Sequence, residues 1–198
     1  HFFMTRHIAA GIDIGTYHVK VVVAEYLQTE GRSFPRIIGT GIAESKGLRH
    51  GYIINISDVA ESVARAAKDA EAAAGIPIRK AYLGIGGIGL ESIVAAGNVV
   101  ISRADYEITD LDVGKVTEDA ESRIPQPSII NRKILHYIPL EYKVDGRKAL
   151  SRPVGLKGMR LEGKILFVTC LEQHFNDLVT AVESTGIEVI DEIAAPIA

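Results

Sequence analysis

The residues best suited to chemistry in this sequence form a short, glycine-bearing turn near its beginning. Residues 11–16 read Gly-Ile-Asp-Ile-Gly-Thr and lie between two apolar stretches. A tight turn between two strands can point successive backbone N–H groups into one concavity, where they suit a phosphate group. Glycine also permits the close approach of a ligand to the backbone. The turn therefore predicts a phosphate site, whose candidate residues are Gly15, Thr16, Tyr17 and His18.

Two charged residues extend this prediction from a phosphate to a magnesium nucleotide. Asp13, at the end of the first strand, suits a water on Mg²⁺, because this ion prefers oxygen ligands and retains most of its waters. Lys20, on the second strand, is placed to reach a β- or γ-phosphate as a point charge. No catalytic residue is predicted. Because Asp, Gly and Thr also favour ordinary turns, a plain hairpin turn is the alternative.

The composition is that of an ordinary globular protein. The 198 residues are 47% hydrophobic and 24% charged, with 22 basic residues against 25 acidic ones. Binding along a nucleic-acid backbone requires a clear basic excess, so this balance argues against a nucleic-acid partner. A single cysteine gives no disulfide framework and favours a reducing compartment. Charges or glycines interrupt every apolar run before it reaches the roughly 18 residues of a membrane span, so we expect a cytosolic chain.

The elements around the turn predict an α/β fold. Residues 8–14 and 19–26 are apolar and rich in β-branched side chains, which predicts a hairpin, and residues 36–43 predict a third strand. An amphipathic helix follows, with Asp58 placed three residues before Glu61 in capping-box spacing. A glycine and a proline end it. Three strands followed by one amphipathic helix are typical of an α/β layer.

The pattern changes after a short predicted strand at residues 81–85. Residues 88–103 predict strand pieces broken by glycines, a helix capped by Thr109 follows, and residues 134–144 alternate like a strand. The segment that comes next is rich in glycine and basic residues. We therefore interpret residues 84–163 as an inserted small domain. Its helix is expected to bury Leu111, Val116 and Ala120.

Beyond this insertion the chain returns to an α/β pattern. Residues 164–169 predict a strand of the first domain, and apolar residues at helical spacing over 171–182 predict a helix. Residues 187–190 predict a further strand, and residues 191–198 predict the start of another helix.

Several segments resemble the FtsA family of bacterial cell-division ATPases, part of the actin superfamily. Residues 45–56 read Ser-Lys-Gly-Leu-Arg-His-Gly-Tyr-Ile-Ile-Asn-Ile. They are similar to the family's stretch of a serine, a glycine, a basic residue and a second glycine ahead of an Ile-Val-Asn-Ile-like run. Residues 107–109, 134–142, 144–146 and 153–156 are similar to the family's second subdomain. A turn of this kind at the start of the chain, followed by more strands and a helix, is also how the actin superfamily begins.

The resemblance implies a fold and a cofactor. The implied fold is α/β: an actin-like (ribonuclease-H-like) subdomain 1A, residues 8–83 plus 164–198, with an inserted small α+β subdomain 1C of strand-helix-strand-strand type, residues 84–163. Nucleotides in this superfamily lie between two halves, and we expect the second half to be missing here, so binding by this fragment should be weak or absent. In the complete protein, ATP and Mg²⁺ would be held by Asp13, Gly15, Thr16, Tyr17, His18 and Lys20.

The function implied by the resemblance is that of a scaffold rather than a metabolic enzyme. Family members bind ATP, form actin-like filaments and link the ring of the division protein FtsZ to the membrane. They recruit later division proteins, among them FtsN, whose cytoplasmic tail is expected to meet subdomain 1C. The FtsZ-binding subdomain and the membrane-binding C-terminal helix would belong to the missing half. The implied location is the cytoplasmic face of the cell membrane at the division site, and slow ATP hydrolysis is expected only of the full-length protein.

The sequence also contains patterns that bear on other functions. Residues 84–89 fit Gly-x-Gly-x-x-Gly after a strand, but a dinucleotide site needs a helix next, and residues 90–101 are β-branched without a helical stripe. The six histidines show no metal-ligand spacing. Nothing places a base beside Cys170, which is expected to be a buried packing residue. The rival functions are a sugar- or acetate-kinase-like phosphotransferase and the pilus-assembly relative of FtsA.

Charge is distributed unevenly within the predicted insertion. Residues 105–121 hold seven acidic side chains against one lysine, and residues 143–164 hold seven basic side chains against two acidic ones. Two solvated faces that oppose each other would account for this pattern. The alternative is a docking surface for an acidic partner or for the next protomer of a filament. Its candidate residues are Arg147, Lys148, Arg152, Lys157 and Arg160.

Overall fold

The computed structural model describes residues 7–29 and 32–194 of the chain. The chain forms two compact units, the larger of His1–Ile88 and Glu172–Ala198 and the smaller of Gly89–Leu171. Among the described residues, no helix combines the length and apolar character needed to cross a bilayer. In chain order the elements are β1 (His7–Ile14), β2 (His18–Thr29), β3 (Arg32–Glu44), β4 (Leu48–Arg49), β5 (Tyr52–Ile53), α1 (Ile56–Ala74), β6 (Lys80–Ile85), β7 (Glu91–Val100), α2 (Asp110–Ser122), α3 (Gln126–Ile129), β8 (Arg132–Val144), β9 (Arg147–Lys148), β10 (Arg160–Leu171), α4 (Glu172–Glu183) and β11 (Glu188–Ala194).

The larger unit is built on a five-stranded sheet with the strand order β11-β6-β1-β2-β3. Strands β1, β2 and β3 form an antiparallel meander, whereas β6 pairs in parallel with both β1 and β11. The predicted hairpin, the third strand and the α/β class are thereby confirmed. Alternate side chains of the first two strands fill the core, and the most buried of them are Ile12, Val19, Val21 and Val23.

Helix α1 approaches this sheet closely at two glycines of β3. A Cβ atom on Gly41 would lie 1.8 Å from the carbonyl oxygen of Ala66. A Cβ atom on Gly39 would lie 2.5 Å from the carbonyl oxygen of Ala70. Both distances are far below van der Waals contact, so the helix can reach this position only because neither strand residue carries a side chain.

Both ends of α1 are fixed by capping interactions. The N-cap is Asn55, whose Oδ1 accepts a hydrogen bond from the Asp58 backbone N–H at 3.2 Å. The predicted capping box at Asp58 and Glu61 is therefore wrong, because the helix begins directly after the extended Asn55 and the amide of Asp58 is already capped. The predicted end is confirmed at Gly75, which adopts a left-handed φ of 71° and donates its N–H back into the last turn.

The smaller unit contains a four-stranded sheet with the order β7-β10-β8-β9, and α2 packs against it. The central strand β10 is antiparallel to both β7 and β8. The chain order of β7, α2, β8 and β10 confirms the predicted small α+β fold of strand-helix-strand-strand type. Cys170 in β10 is fully buried, as expected. The apolar core of the unit includes Ile101, Ile108, Val116, Leu161, Ile165 and Phe167.

Gly97 is a packing position in this unit and not a break in a strand. The strand pieces predicted over 88–103 are one continuous strand, β7, in which Gly97 pairs with Gly163 of β10. A Cβ atom on Gly97 would lie 2.2 Å from the Val116 carbonyl oxygen and 2.5 Å from the Ala120 nitrogen. The glycine therefore admits the backbone of α2, just as the glycines of β3 admit α1.

Three predicted boundaries differ from the structure. Residues 164–169 lie in the sheet of the smaller unit, because β10 is one strand that is paired along its length with β7 and β8. The smaller unit accordingly spans Gly89–Leu171 rather than 84–163. Residues 191–194, predicted to start a helix, extend β11 alongside β6 instead. The rest of that predicted helix, residues 195–198, lies outside the described residues.

The start of α2 is anchored by a buried carboxylate. Thr109 precedes the helix as predicted, and both its N–H and its hydroxyl donate to the Asp112 carboxylate at 2.9 Å. The Arg103 guanidinium donates to the same carboxylate, which is only 3% exposed. Burial raises the pKa of Asp112, but the hydrogen bonds from Arg103 and Thr109 outweigh it and lower that pKa to about 2. Leu111, predicted to be inside, is 68% exposed because this network turns Asp112 inward in its place.

We predict that Gly97→Ala destabilises the protein by about 1–3 kcal/mol, because the added methyl group overpacks the contact with α2. The matched control is Gly114→Ala in the exposed middle of α2, where an added Cβ meets no atom within 4 Å. The control should stabilise the helix by about 0.5–1 kcal/mol. Urea unfolding of both variants measures the difference, and equal effects would contradict the packing role of Gly97.

We also predict a pH dependence of stability that arises from Asp112. Its pKa in the folded chain, about 2, is below the usual value of 3.8, so the ionised carboxylate stabilises the fold above about pH 4. That contribution is lost as the pH falls from about 4 towards 2. The free energies of unfolding of wild type and Asp112→Asn should differ most at pH 7 and converge over this window, as urea titrations at each pH would measure. A constant difference down to pH 2 would show that the charge of Asp112 is not what stabilises the fold.

Candidate functional site

The predicted phosphate loop is the turn that joins β1 to β2. Residues 15–17 form the turn, which is closed by a hydrogen bond of 3.0 Å from the Gly15 N–H to the His18 carbonyl. Within the described part of the chain, the backbone N–H groups of Thr16 and Tyr17 have no protein acceptor. Two successive amide donors are therefore available to an anion at this turn.

Ser45 holds the carbonyl side of the turn. Its hydroxyl donates to the Gly15 carbonyl at 2.6 Å, and its backbone N–H donates to the Tyr17 carbonyl at 2.9 Å. Both bonds use acceptors of the turn and none of its donors. Ser45 is also the first residue of the segment 45–56 that resembles the FtsA family, so the segment begins with a residue that shapes the loop.

The rest of this segment folds back on itself through β4 and β5. The Gly47 carbonyl accepts hydrogen bonds from the N–H groups of Ile54 at 2.8 Å and Asn55 at 3.2 Å. Gly47 has a left-handed φ of 78°, and a Cβ atom there would lie 2.3 Å from the Asn55 carbonyl oxygen. Glycine is required at this position for its conformation and for lack of space.

The turn opens onto a cavity of about 250 Å³ inside the larger unit. The cavity is smaller than the roughly 300–1,000 Å³ of complete small-molecule pockets, so it suits one end of a ligand. It is lined by the turn, the β4–β5 hairpin, the residues after β6 and the beginning of α4. The polar and glycine residues in its wall are Asp13, Gly15, Thr16, Gly51, Gly86, Gly87 and His174.

The residues after β1 and those after β6 meet in this cavity because the two neighbouring strands run in the same direction. Strands β1 and β6 run parallel, with Asp13 paired to Gly84, so the residues that follow each strand emerge at the same edge of the sheet. In open α/β sheets, ligands bind outside the carboxyl ends of such strands. Of the Gly-x-Gly-x-x-Gly segment, Gly86, Gly87 and Ile88 therefore contribute to the cavity wall. The dinucleotide alternative lacks its required helix, because the next element is the strand β7.

The structure places the predicted ligand residues around the cavity in two groups. Asp13, Gly15 and Thr16 line it, whereas Tyr17, His18 and Lys20 are exposed and do not belong to its wall. Asp13 and Lys20 are opposite each other in the β1–β2 register, so both side chains project from the same face of the sheet. Within the described ranges, no cluster of three or more His, Cys, Asp or Glu side chains is arranged to hold a metal ion. The contact of Asp13 with Mg²⁺ through a metal-bound water stays a prediction.

His174 is a residue of the cavity that the sequence analysis did not select. It lies in the first turn of α4 and is only 7% exposed, with its ring centroid 6.2 Å from that of Tyr52 at an interplanar angle of 73°. Burial lowers the pKa of His174, and the nearby Asp177 partly opposes this shift. The four-residue spacing of His174 and Leu178 places both on one helix face, and both line the cavity. That spacing was the signal in the sequence.

The predicted basic surface is partly neutralised within the smaller unit. Arg152 pairs with Asp110 at 2.5 Å, and Lys148 pairs with Glu141 at 3.2 Å. Lys157 lies opposite a glutamate, Glu107, in an isolated β-bridge between the basic and acidic segments. The uneven charge of the sequence is therefore in part an internal pairing of two neighbouring segments. All five candidate residues of the surface are nevertheless exposed: Arg147, Lys148, Arg152, Lys157 and Arg160.

Comparison with known proteins identifies relatives along almost the whole chain. Residues 87–169 match the family described as the SHS2 domain inserted in FtsA. The cell-division protein FtsA of Enterococcus faecalis is 35% identical over 188 residues, which are 95% of this chain and 41% of that relative. FtsA of Escherichia coli K12 is 33% identical over 194 residues, which are 98% of this chain and 44% of that relative. The chain thus spans less than half the length of the curated relatives it matches.

A solved structure supports the fold independently. The PilM–PilN type IV pilus biogenesis complex contains a chain that matches 95% of this one with a TM-score of 0.57 and 17% sequence identity. The match covers 47% of that chain. At this identity the similarity shows the fold alone, and it agrees with the predicted actin-like architecture.

Proposed function

We propose that this chain is the front half of a bacterial cell-division scaffold of the FtsA family. The observation that supports the proposal most directly is the 32–35% identity that extends over 95% of the chain. The matched SHS2 domain is also the one described as inserted in FtsA, which ties the smaller unit to the same family.

In this proposal the full-length protein binds ATP with Mg²⁺ at the cavity beside the turn. The residues present fit the phosphate end of a nucleotide: the N–H groups of Thr16 and Tyr17 are unpaired donors, and glycines form much of the wall. Asp13 would orient a water on the metal ion, and Lys20 would approach the phosphates from the exposed face of the sheet. The metal ion would supply neutralisation of the phosphate charge.

We further propose that the nucleotide controls assembly and is not consumed in the metabolism of a substrate. The relatives are named for their part in cell division and not for a reaction. Slow hydrolysis of ATP would then be a property of the full-length protein, in which a second half closes over the phosphates. Filaments formed by self-association would be the product of that control.

The partners of the proposed scaffold follow from the same homology. FtsZ would bind to the part of the protein beyond this chain, and a C-terminal amphipathic helix there would attach it to the inner face of the cell membrane at the division site. The smaller unit, subdomain 1C, would receive later division proteins such as FtsN. The exposed basic residues Arg147, Lys157 and Arg160 would contribute to a contact with an acidic surface, such as that of the next protomer.

A pilus-assembly adaptor is the second candidate, because a pilus protein shares the fold. Identity favours the division role, since it is 32–35% with the FtsA relatives and 17% with the pilus protein. A sugar- or acetate-kinase-like phosphotransferase has no comparable support, because the relatives over this length are division proteins.

We predict that the full-length protein binds Mg²⁺–ATP and that Asp13→Asn weakens this binding by about tenfold, the cost of losing one hydrogen bond to a charged group. Isothermal titration calorimetry with and without Mg²⁺ measures the effect, and without Mg²⁺ the variant should match the wild type. Asp69→Asn, an exposed carboxylate on α1, is the matched control and should bind like the wild type. Wild-type protein that does not bind ATP would overturn the nucleotide site.

We predict that the full-length protein co-sediments with FtsZ filaments, whereas a pilus adaptor would not. The double variant Arg147→Glu and Lys157→Glu should keep this binding, because FtsZ is proposed to contact another part of the protein, but should lose self-assembly at low salt. Lys68→Glu, an exposed residue of α1 outside the smaller unit, is the control. Unchanged self-assembly of the double variant would remove these residues from the contact. Failure of the wild type to bind FtsZ would contradict the division role.

A further inference from the structure

We propose that the imidazole of His174 binds the phosphate chain of the nucleotide and donates a hydrogen bond to its terminal phosphate. This inference rests on the proposed nucleotide site and adds a residue that neither the turn nor its flanking charges provide. His174 belongs to α4, whereas the turn belongs to the β1–β2 hairpin. The phosphates would therefore be held from two separate elements of the larger unit.

The first observation is that His174 is largely buried and makes no hydrogen bond to the described part of the chain. The residue is only 7% exposed. The carboxylate of Asp177 is the charge that acts on its ring, and within the described residues the ring makes no hydrogen bond. Buried polar side chains of native proteins are almost always satisfied by protein or water. Among the described residues, Arg103 Nε is the fully buried side-chain polar atom that lacks a partner, so the ring nitrogens of His174 are not enclosed in the interior but open to the cavity.

The second observation is the position of this side chain. His174 lines the same cavity as Asp13, Gly15 and Thr16, so it faces the place where the turn presents its free amides. Tyr52 contacts the imidazole in an edge-on arrangement and limits the orientations of the ring. The ring is thus held in the wall of the cavity by packing, which leaves its nitrogens available to a ligand.

The third observation concerns the charge state of the imidazole. Because burial lowers its pKa from 6.5, His174 is neutral at pH 7 and carries one N–H donor and one lone pair. A neutral imidazole is also buried at a much lower cost than an imidazolium cation. When a phosphate enters the cavity, the imidazole N–H would donate to it from α4, whereas the turn would donate from the β1–β2 hairpin.

The test compares nucleotides of different phosphate number in the full-length protein. His174→Leu should weaken Mg²⁺–ATP binding by about tenfold and leave AMP binding unchanged, because only the terminal phosphate loses a donor. His174→Gln, whose side-chain amide retains an N–H donor, should restore most of the affinity for ATP. His7→Leu, an exposed histidine at the start of β1, is the matched control and should leave both affinities unchanged.

A second measurement needs no substitution and therefore does not depend on the folding of a variant. In ¹⁵N-labelled full-length protein, the imidazole nitrogens of His174 should shift when Mg²⁺ and a slowly hydrolysed ATP analogue are added. If the amide signals of Thr16 and Tyr17 move while those of the imidazole do not, the role of His174 is overturned and the nucleotide site stands. Equal loss of AMP and ATP binding in His174→Leu would also overturn it, since that result marks a structural role. If neither the amides nor the imidazole respond, the proposed nucleotide site itself fails.

Discussion

The turn between β1 and β2 can receive an anion because the protein takes up its carbonyls and leaves two of its amides free. Ser45 accounts for this asymmetry with two donated hydrogen bonds, one to the Gly15 carbonyl and one to the Tyr17 carbonyl. If the turn instead satisfied its own amides, as a fully self-bonded hairpin does, it would offer an anion nothing. The segment 45–56 can hold Ser45 in place because Gly47 lets the chain reverse tightly at the start of α1.

Close approach of backbone to backbone is the second constraint, and both units use it. In the larger unit α1 meets β3 at Gly39 and Gly41, and in the smaller unit α2 meets β7 at Gly97. At these glycines the helix lies too near the strand for a side chain to fit between them, so the packing of helix on sheet is specific there. In the larger unit, α1 is thereby fixed relative to the strands that carry the turn, and so is its N-cap residue, Asn55, near the end of the segment 45–56.

The sequence predicted those parts of the fold that depend on local pattern. The β1–β2 hairpin, the glycine end of α1 and Thr109 before α2 were found because apolar alternation and capping residues act over a few positions. The predictions were wrong where tertiary contacts determine which side chain is buried or where a strand ends. Leu111 has the right spacing for a buried residue, yet the ion pair of Arg103 with Asp112 turns the helix so that a carboxylate is inside. A glycine that breaks a strand and one that admits a helix also look alike in a sequence.

The candidate site was predictable only in the half that is contiguous in the chain. Asp13, Gly15 and Thr16 are within a few residues of each other, so one motif identifies them, whereas His174 reaches the cavity from an element about 160 residues later. His174 lies in the cavity wall because β6 is the parallel neighbour of β1 and because α4 follows the inserted unit in the chain. No rule of sequence spacing predicts either of these two tertiary relations. A cavity of about 250 Å³, lined by Thr16 with its free amide on one element and by His174 on another, is of a size and lining that suit a phosphate group better than a base or sugar. In the proposed function, the base and sugar of the nucleotide would accordingly be bound by the rest of the full-length protein, and the residues described here would bind only its phosphates.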